Sequence, residues 1–456
     1  MNHLDRNENI NNYKYLSRYV KNKVNLKRVN YDEHKLVYQK PINRQYINFT
    51  KNKKGEEKEK ESILKVPKNE TINENKLYES KNIYKEKSLN KQPNITVYNN
   101  SNIAKESSYG RTGLINFGNI CYMNSVLQCI KNCYPFTKEI INMKEKGEFT
   151  MSFKNLLVNI LSTRTIFSPD DFKSKISKID PYFLSNSQKD SINLITSLFD
   201  ILQNELNTPI DYKMIDNSSF EKYKKKLFKR KYSILTEIFG GFYKNTYQCV
   251  YCNKFKLEKY QLFNLIVLPI MDGNIRIQTL EDCLKIFQRR LNHEQLNCDN
   301  CSQRITLETK IHVFPKILII NFPRTDGSQH INHPVKFDEY LYINEPYSKE
   351  NKKFKLFAIT NHEGSSDFGH NFSYCENIFD HQWFEFNDTS VFPVCLKELL
   401  KNITGKEFIL FYRDNSIQIN NEELENMKKI IFKELKKPTR TVKNASVISN
   451  RFKFHH

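Results

Sequence analysis

The chain has 456 residues, 39 % hydrophobic and 27 % charged, with only 12 glycines and 14 prolines, which excludes collagen-like, elastic and membrane-spanning classes and leaves room for a full buried core. Lysine plus arginine outnumber aspartate plus glutamate by 72 to 51, a net charge of +21 that would suit an anionic partner if it lay on one face. It is spread instead: residues 1–110 hold 23 basic and 13 acidic side chains, so about half of the excess sits in the first quarter of the chain.

That quarter reads as lysine, asparagine and glutamate with scattered tyrosine. The stretch KNKKGEEKEKESILKVPKNETINENK has too few apolar residues for their burial to offset the entropy of ordering it. Residues 1–109 are therefore expected to form a basic, mostly disordered extension. The opening MNHLDRNENINNYKYLSRYV has no apolar core of the kind a signal peptide or spanning helix needs, so no membrane partner is expected. All ten cysteines fall between Cys121 and Cys395. Cytosol or nucleus is the expected compartment, with the cysteines acting as core thiols, metal ligands or a nucleophile.

Order is expected from about Gly113, where TGLINFGNI leads into CYMNSVLQCI, with Met123, Val126, Leu127 and Ile130 at helical spacing. Cys121 then stands at a helix N-terminus. A second helix is SINLITSLFDILQNEL, whose Ile192, Ile195, Leu198, Phe199, Leu202 and Leu206 form one stripe, with Asp190 placed to cap it. After Lys231 the pattern changes to strands: FYKNTYQCV, LIVLPI, FPKILIINFPR, FKLFAITNH, WFEFND and EFILFYRD are short, aromatic or β-branched, and bounded by turns. Helices first and sheet second predict an α+β protein, a helical part packed on a largely antiparallel sheet. Beyond Asp414, ELENMKKIIFKELKK reads as one more amphipathic helix before a frayed basic tail, which together make up 416–456.

Three groups of residues carry chemistry. A thiolate at a helix N-terminus is stabilised by unpaired amides and the positive end of the dipole, which favours Cys121 as a nucleophile, although a cysteine taken alone is more often a small core thiol. In GHNFSYCENIFDHQWFEFND, a turn near Asp380 would set His370 and Asn387 on neighbouring antiparallel strands, where the carboxamide of Asn387 or the carboxylate of Asp388 can orient the imidazole. Cysteine, then histidine, then asparagine or aspartate is the order of a thiol protease in which the imidazole takes the thiol proton. Asn116, in a loop five residues before Cys121, can aim an amide at an oxyanion or simply shape the turn. Finally CVYC at Cys249 and Cys252 and CDNC at Cys298 and Cys301 form two knuckles, 45 residues apart, that suit one tetrahedral zinc ion. Four cysteines leave no open coordination position, so the Zn2+ would be structural.

Taken together, GLINFGNICYMNSVLQ and GHNFSYC followed by WFEFNDTSV resemble the Cys box and His box of the ubiquitin-specific proteases, papain-like deubiquitinating cysteine enzymes. NSQKDSINLITSLFDILQNEL is similar to that family's QQDAxEFL helix, and SILTEIFGGFYKNTYQC to the strand leading into its zinc-bearing fingers. The resemblance spans about residues 110–415, the expected catalytic domain. It implies a thumb of helices from Cys121 to about Leu206, a palm of the later strands and fingers at about 238–330. It also implies Cys121 as nucleophile, His370 as general base, Asn387 as orienter, Asn116 as oxyanion donor and Asp388 as an assisting acid. Gly369 and Tyr374 match positions lining the channel for the diglycine tail of ubiquitin. Implied partners are ubiquitin and ubiquitinated proteins, acted on by a monomeric catalytic domain.

Four residues depart from the family pattern: Ile120 stands for a threonine, Lys189 for the second glutamine, Asn193 for the helix glutamate, and Asn371 for the tyrosine or phenylalanine common after the histidine. With Asn387 at the third position, they leave open a catalytically weak ubiquitin-binding protein, or a protease for a ubiquitin-like modifier. Lysines interleaved with glutamate and asparagine read as solvated chain, so nucleic acid is not expected as the primary partner.

Overall fold

A computed structural model describes residues 109–437, apart from 327–328, 345–350 and 365–368. The expected extension at 1–109, save Tyr109, and the tail beyond 437 lie outside the described residues. No helix among the described residues is long and apolar enough to cross a membrane.

A short strand, β1 (Gly113–Leu114), pairs in parallel with β2 (Ile166–Phe167), and between them run α1 (Cys121–Lys131), α2 (Tyr134–Asn142) and α3 (Glu148–Ile160). Helices α4 (Asp170–Ile179), α5 (Ser191–Leu206), α6 (Ser219–Phe228) and α7 (Ile234–Phe239) follow. Asp190 caps α5 as its spacing predicts, accepting from the Ile192 amide at 2.9 Å. All eleven residues of α1 are buried, so its polar members must find partners inside. Gln128 donates to the Thr112 carbonyl at 2.9 Å, and Lys131 donates to that of Gly110 at 2.7 Å while lying over the Phe386 ring. The central helix thereby staples the segment that leads into Cys121.

Strands β3 (Gly241–Gln248), β4 (Lys256–Phe263), β8 (Leu291–Asn297) and β9 (Arg304–Val313) form a four-stranded sheet in the order β4-β3-β9-β8. Between its halves come β5 (Ile266–Val267), the small hairpin β6 (Met271–Asp272) and β7 (Ile275–Arg276), and α8 (Leu280–Phe287). The larger, eight-stranded sheet takes β10 (Ile317–Asn321) after β9. It then skips the hairpin β11 (Thr325–Asp326) and β12 (Gln329–His330), and adds β13 (Tyr340–Asn344), β14 (Asn351–Gly364), β15 (Gly369–Glu376), β16 (Trp383–Asn387), β17 (Ser390–Val394) and β18 (Glu407–Asp414). Its order is β17-β16-β15-β14-β18-β10-β5, with β13 also on β14. One face carries the helical core around α1; the other packs Leu318, Ile320, Leu356, Leu410 and Trp383 with α8.

Two boundaries differ from the expectation. The fingers segment drawn at about 238–330 ends at Val313, because ILIIN is apolar on both faces and so belongs in the middle of the large sheet, where every residue of β10 is buried. The last helices, α9 (Leu396–Lys401) and α10 (Asn421–Leu435), flank β18, and α10 is no appendage. Its Leu424, Met427 and Ile431 are buried in the helical core against α2 and α3.

Candidate active site

The site forms where the N-terminus of α1 meets the open end of β15 and β16. Helix α1 begins at Cys121, and the chain before it is shaped by Asn116, whose Oδ1 accepts from the Ile120 amide at 3.0 Å. Cys121 is 3 % exposed. Burial pushes its pKa up, but hydrogen bonds from His370 and from the backbone and side chain of Asn371 outweigh that, and the thiol sits below its ordinary value.

His370 hydrogen-bonds the thiol and, at Nε2, donates to Asn387 Oδ1 at 2.7 Å. That bond fixes the tautomer and leaves Nδ1 for the sulfur. The Cys121 bond first, opposed by burial and helped by Asn387 and the charge of Asp388, raises the imidazole to about 9. Asn387 is held in turn: its Nδ2 donates to Glu385 Oε1 at 3.3 Å, so the carboxamide oxygen is the atom that faces the histidine. Tyr374 is the cross-strand partner of Glu385, and its pKa is raised by burial and by that carboxylate. A carboxylate, a carboxamide, an imidazole and a thiol thus stand in line.

Asp388 differs from its expected part. It reaches His370 only through its charge; its carboxylate oxygens accept from Asn116 Nδ2 at 2.9 Å and from Asn124 Nδ2 at 2.8 Å, and its carbonyl accepts from the Leu114 amide at 2.7 Å. The reason is the turn it occupies: at φ +50° between β16 and β17, Asp388 points away from the sheet and onto the Cys121 segment. It staples the loop that carries Asn116 to the strand that carries Asn387.

Gly369 opens β15. A side chain there would collide with the His362 ring, and both backbone polar groups are taken by Gln188, which donates to the Gly369 carbonyl at 2.6 Å and accepts from its amide at 3.0 Å. Gln188 therefore bridges the segment before α5 to the start of β15. Cys121, His370 and Asn387 stand together, and Asn116 lies in the loop that leads into Cys121. The parts played by Glu385, Asn124 and Gln188 were missed, although Asn124 lies in the stretch resembling the Cys box, Gln188 is the glutamine before Lys189 in the stretch similar to QQDAxEFL, and Glu385 shares a strand face with Asn387 by the two-residue period.

Forty-five intervening residues do not keep the CxxC pairs apart. Cys249 and Cys252 lie in the turn after β3, Cys298 and Cys301 in the turn before β9, and β3 pairs with β9 to Gln248 opposite Thr306. The four sulfurs lie within 4.8 Å of one another. Adjacent ones are 3.4 to 3.6 Å apart, close to the ~3.8 Å edge of a tetrahedron with sulfur at about 2.3 Å from zinc. Each knuckle closes on a left-handed residue, Asn253 and Ser302, whose amide returns to the carbonyl of the first cysteine. The cluster can hold a metal ion.

A thiol at a helix N-terminus, with an imidazole and a carboxamide delivered by the adjoining sheet, defines the papain-like class of cysteine hydrolases. The chain belongs to the ubiquitin carboxyl-terminal hydrolase family, whose model matches residues 112–412. Among the relatives it resembles, rat Ubiquitin carboxyl-terminal hydrolase 2 is 28 % identical over 345 residues, covering 67 % of this chain and 54 % of the relative. The chain spans about half the length of the curated relatives it matches. Two solved structures share the fold. A SAGA DUB module of Ubp8, Sgf11, Sus1 and Sgf73 bound to monoubiquitin aligns with TM-score 0.55 at 19 % identity, over 76 % of this chain and 76 % of that one. The module bound to ubiquitin aldehyde aligns with TM-score 0.55 at 21 % identity, over 70 % and 72 %.

Proposed function

We propose that this protein is a deubiquitinase that hydrolyses the peptide or isopeptide bond after the C-terminal glycine of ubiquitin. The observation that carries it is His370, hydrogen-bonded to Asn387 and set beside the Cys121 thiol so that it lowers the thiol while its own value rises. The lowered thiol and the raised imidazole both favour a thiolate and imidazolium pair. The thiolate attacks the glycine carbonyl, the imidazolium protonates the leaving amine, and the C–N bond breaks to leave a thioester. Water then adds to that carbonyl, giving a proton to His370, and the C–S bond breaks. Asn116, held by Asp388 through one N–H, has its second N–H for the oxyanion, beside the amides of the α1 N-terminus. Asp388 orients Asn116, and Asn387 orients His370.

The four-cysteine cluster would hold one Zn2+, which supplies a structural crosslink and no chemistry. Support comes from the donor set and from how little else surrounds it, since Tyr247 and Ile305 are its main buried apolar neighbours. Ubiquitin as the partner is supported by the solved modules bound to ubiquitin. We also place the protein in the cytosol or nucleus, in keeping with its ten free cysteines, and treat its catalytic domain as monomeric.

The test is incubation of the purified chain with ubiquitin bearing a C-terminal electrophile, with peptide mapping of the adduct. An adduct on Cys121, absent in Cys121→Ala and weakened in His370→Ala, is expected. A folded, zinc-loaded protein that forms no adduct would overturn the proposal, and tight ubiquitin binding in that case would mark a receptor.

A further inference from the structure

We propose that Asn371 is a further catalytic residue, a second donor to the nucleophilic sulfur that stands beside His370. It rests on reading Cys121 as the nucleophile. Asn371 is 7 % exposed, its Nδ2 lies 3.7 Å from the Cys121 Sγ in a buried contact, and its backbone amide also acts to lower the thiol. Two donors from one residue therefore face the reacting atom.

The placement follows from how α1 lies on β15. Along the strand, Asn371, Ser373 and Cys375 point inward by the two-residue period, and His370, Phe372 and Tyr374 do not. On the helix, Cys129 packs against Cys375, sulfur to sulfur at 3.8 Å. From Cys121 to Cys129 the helix rises about 12 Å, and from Asn371 to Cys375 the strand rises about 13 Å. Helix and strand advance together, so a cysteine pair at one end of the contact fixes an asparagine against the nucleophile at the other. Where the family pattern has an aromatic residue, this chain has a short carboxamide of the right reach.

A neutral donor does what an imidazolium cannot do throughout the cycle. When His370 gives its proton to the leaving amine, its positive charge goes with it, while the Asn371 N–H groups stay on the sulfur. When the thioester C–S bond breaks, the same groups receive the departing thiolate, and His370 holds the proton taken from water. No proton passes through Asn371; it holds charge on one atom before attack and after expulsion.

The experiment is the pH dependence of Cys121 alkylation by iodoacetamide in the full chain, followed by peptide mapping, for the wild type, Asn371→Leu and Asn371→Asp. Asn371→Leu keeps the branching at Cγ and removes the side-chain donor. It should move the thiolate titration upward, lowering the alkylation rate near pH 6 by about three- to tenfold with the high-pH plateau unchanged, and kcat/KM for ubiquitin amides should fall by the same factor there. Asn371→Asp, nearly identical in shape, places a carboxylate by the sulfur and should move it further. A Leu variant that titrates like the wild type overturns the proposal. If that variant does not melt cooperatively, an Asp variant with an unshifted titration overturns it instead. A wild-type Cys121 that titrates near the ordinary ~8.5 fails in a different place, in the reading of Cys121 as an activated nucleophile.

Discussion

At the scale of single residues, His370 sets the pH range in which the site works. Its pKa is raised to about 9 chiefly by the Cys121 bond, and that of Cys121 is lowered against burial by His370 and Asn371. Activity requires the thiolate and the protonated imidazole together. It should therefore rise as pH climbs through the lowered Cys121 value and fall as His370 deprotonates near pH 9. His370→Ala removes both the acid and the largest support of the thiolate, so kcat/KM should drop by about 10²- to 10⁴-fold and the alkaline limb should vanish. Asn387→Ala, which frees the ring, should cost more than Glu385→Gln, which still bonds the carboxamide. A pH–rate profile of the three variants checks this, and an unchanged alkaline limb in His370→Ala would refute it. Cys121, His370 and Asn387 were legible because each sits beside a local marker: a helix start, a Gly-His step, a strand end. Asn124 and Gln188 were not, because Asp388 and Gly369, their partners, lie far away in sequence and only packing brings them near.

At the scale of elements, the long periodic helices and the aromatic strands were read correctly, since burial of one face dictates their pattern; Asp190 even capped where its spacing said. The element misjudged was β10. ILIIN carries no alternation, and a fully apolar run says that it is buried without saying in which sheet. The four-stranded sheet shows the opposite economy of signal: β3 alternates along most of its length, yet what joins the two hairpin ends is the four sulfurs. Few apolar side chains surround that cluster, so removal of the metal should loosen the hairpin ends while the large sheet stays folded. Native mass spectrometry should find one zinc per chain. After chelation, hydrogen exchange should quicken across residues 244–260 and 296–309 and stay slow in β14, β15 and β18. A folded protein that never held metal would contradict the zinc assignment; equal loosening of both sheets would contradict the local role.

At the scale of the whole molecule, the family match ends at residue 412, but the helical core does not. Helix α10 inserts Leu424, Met427 and Ile431 against α2 and α3, and its Glu423 takes hydrogen bonds from Tyr134 and Lys138 while Glu434 pairs with Lys154. The amphipathic pattern at 421–435 was visible in the sequence; that its apolar face completes the core beneath α1 was not, because a stripe does not name the surface it covers. Fully burying such side chains is worth roughly 1.5 to 3 kcal/mol each, so three of them contribute about 5 kcal/mol or more, a large part of a stability of about 5 to 15 kcal/mol. The more exposed pair of Lys138 and Glu423 adds little by comparison. Truncation after residue 415 should therefore lower Tm by about 5 to 10 °C and expose an apolar face on α2 and α3 that binds a hydrophobic dye. Met427→Lys in the intact chain should reproduce much of the loss by forcing a charge into the same contact. No α10 residue touches Cys121, His370 or Asn387, so at temperatures where the truncated chain stays folded, its kcat/KM should match the wild type. An unshifted melting curve would mean that α10 only rests on the core; a large fall in kcat/KM without a fall in Tm would mean that it reaches the site by another route.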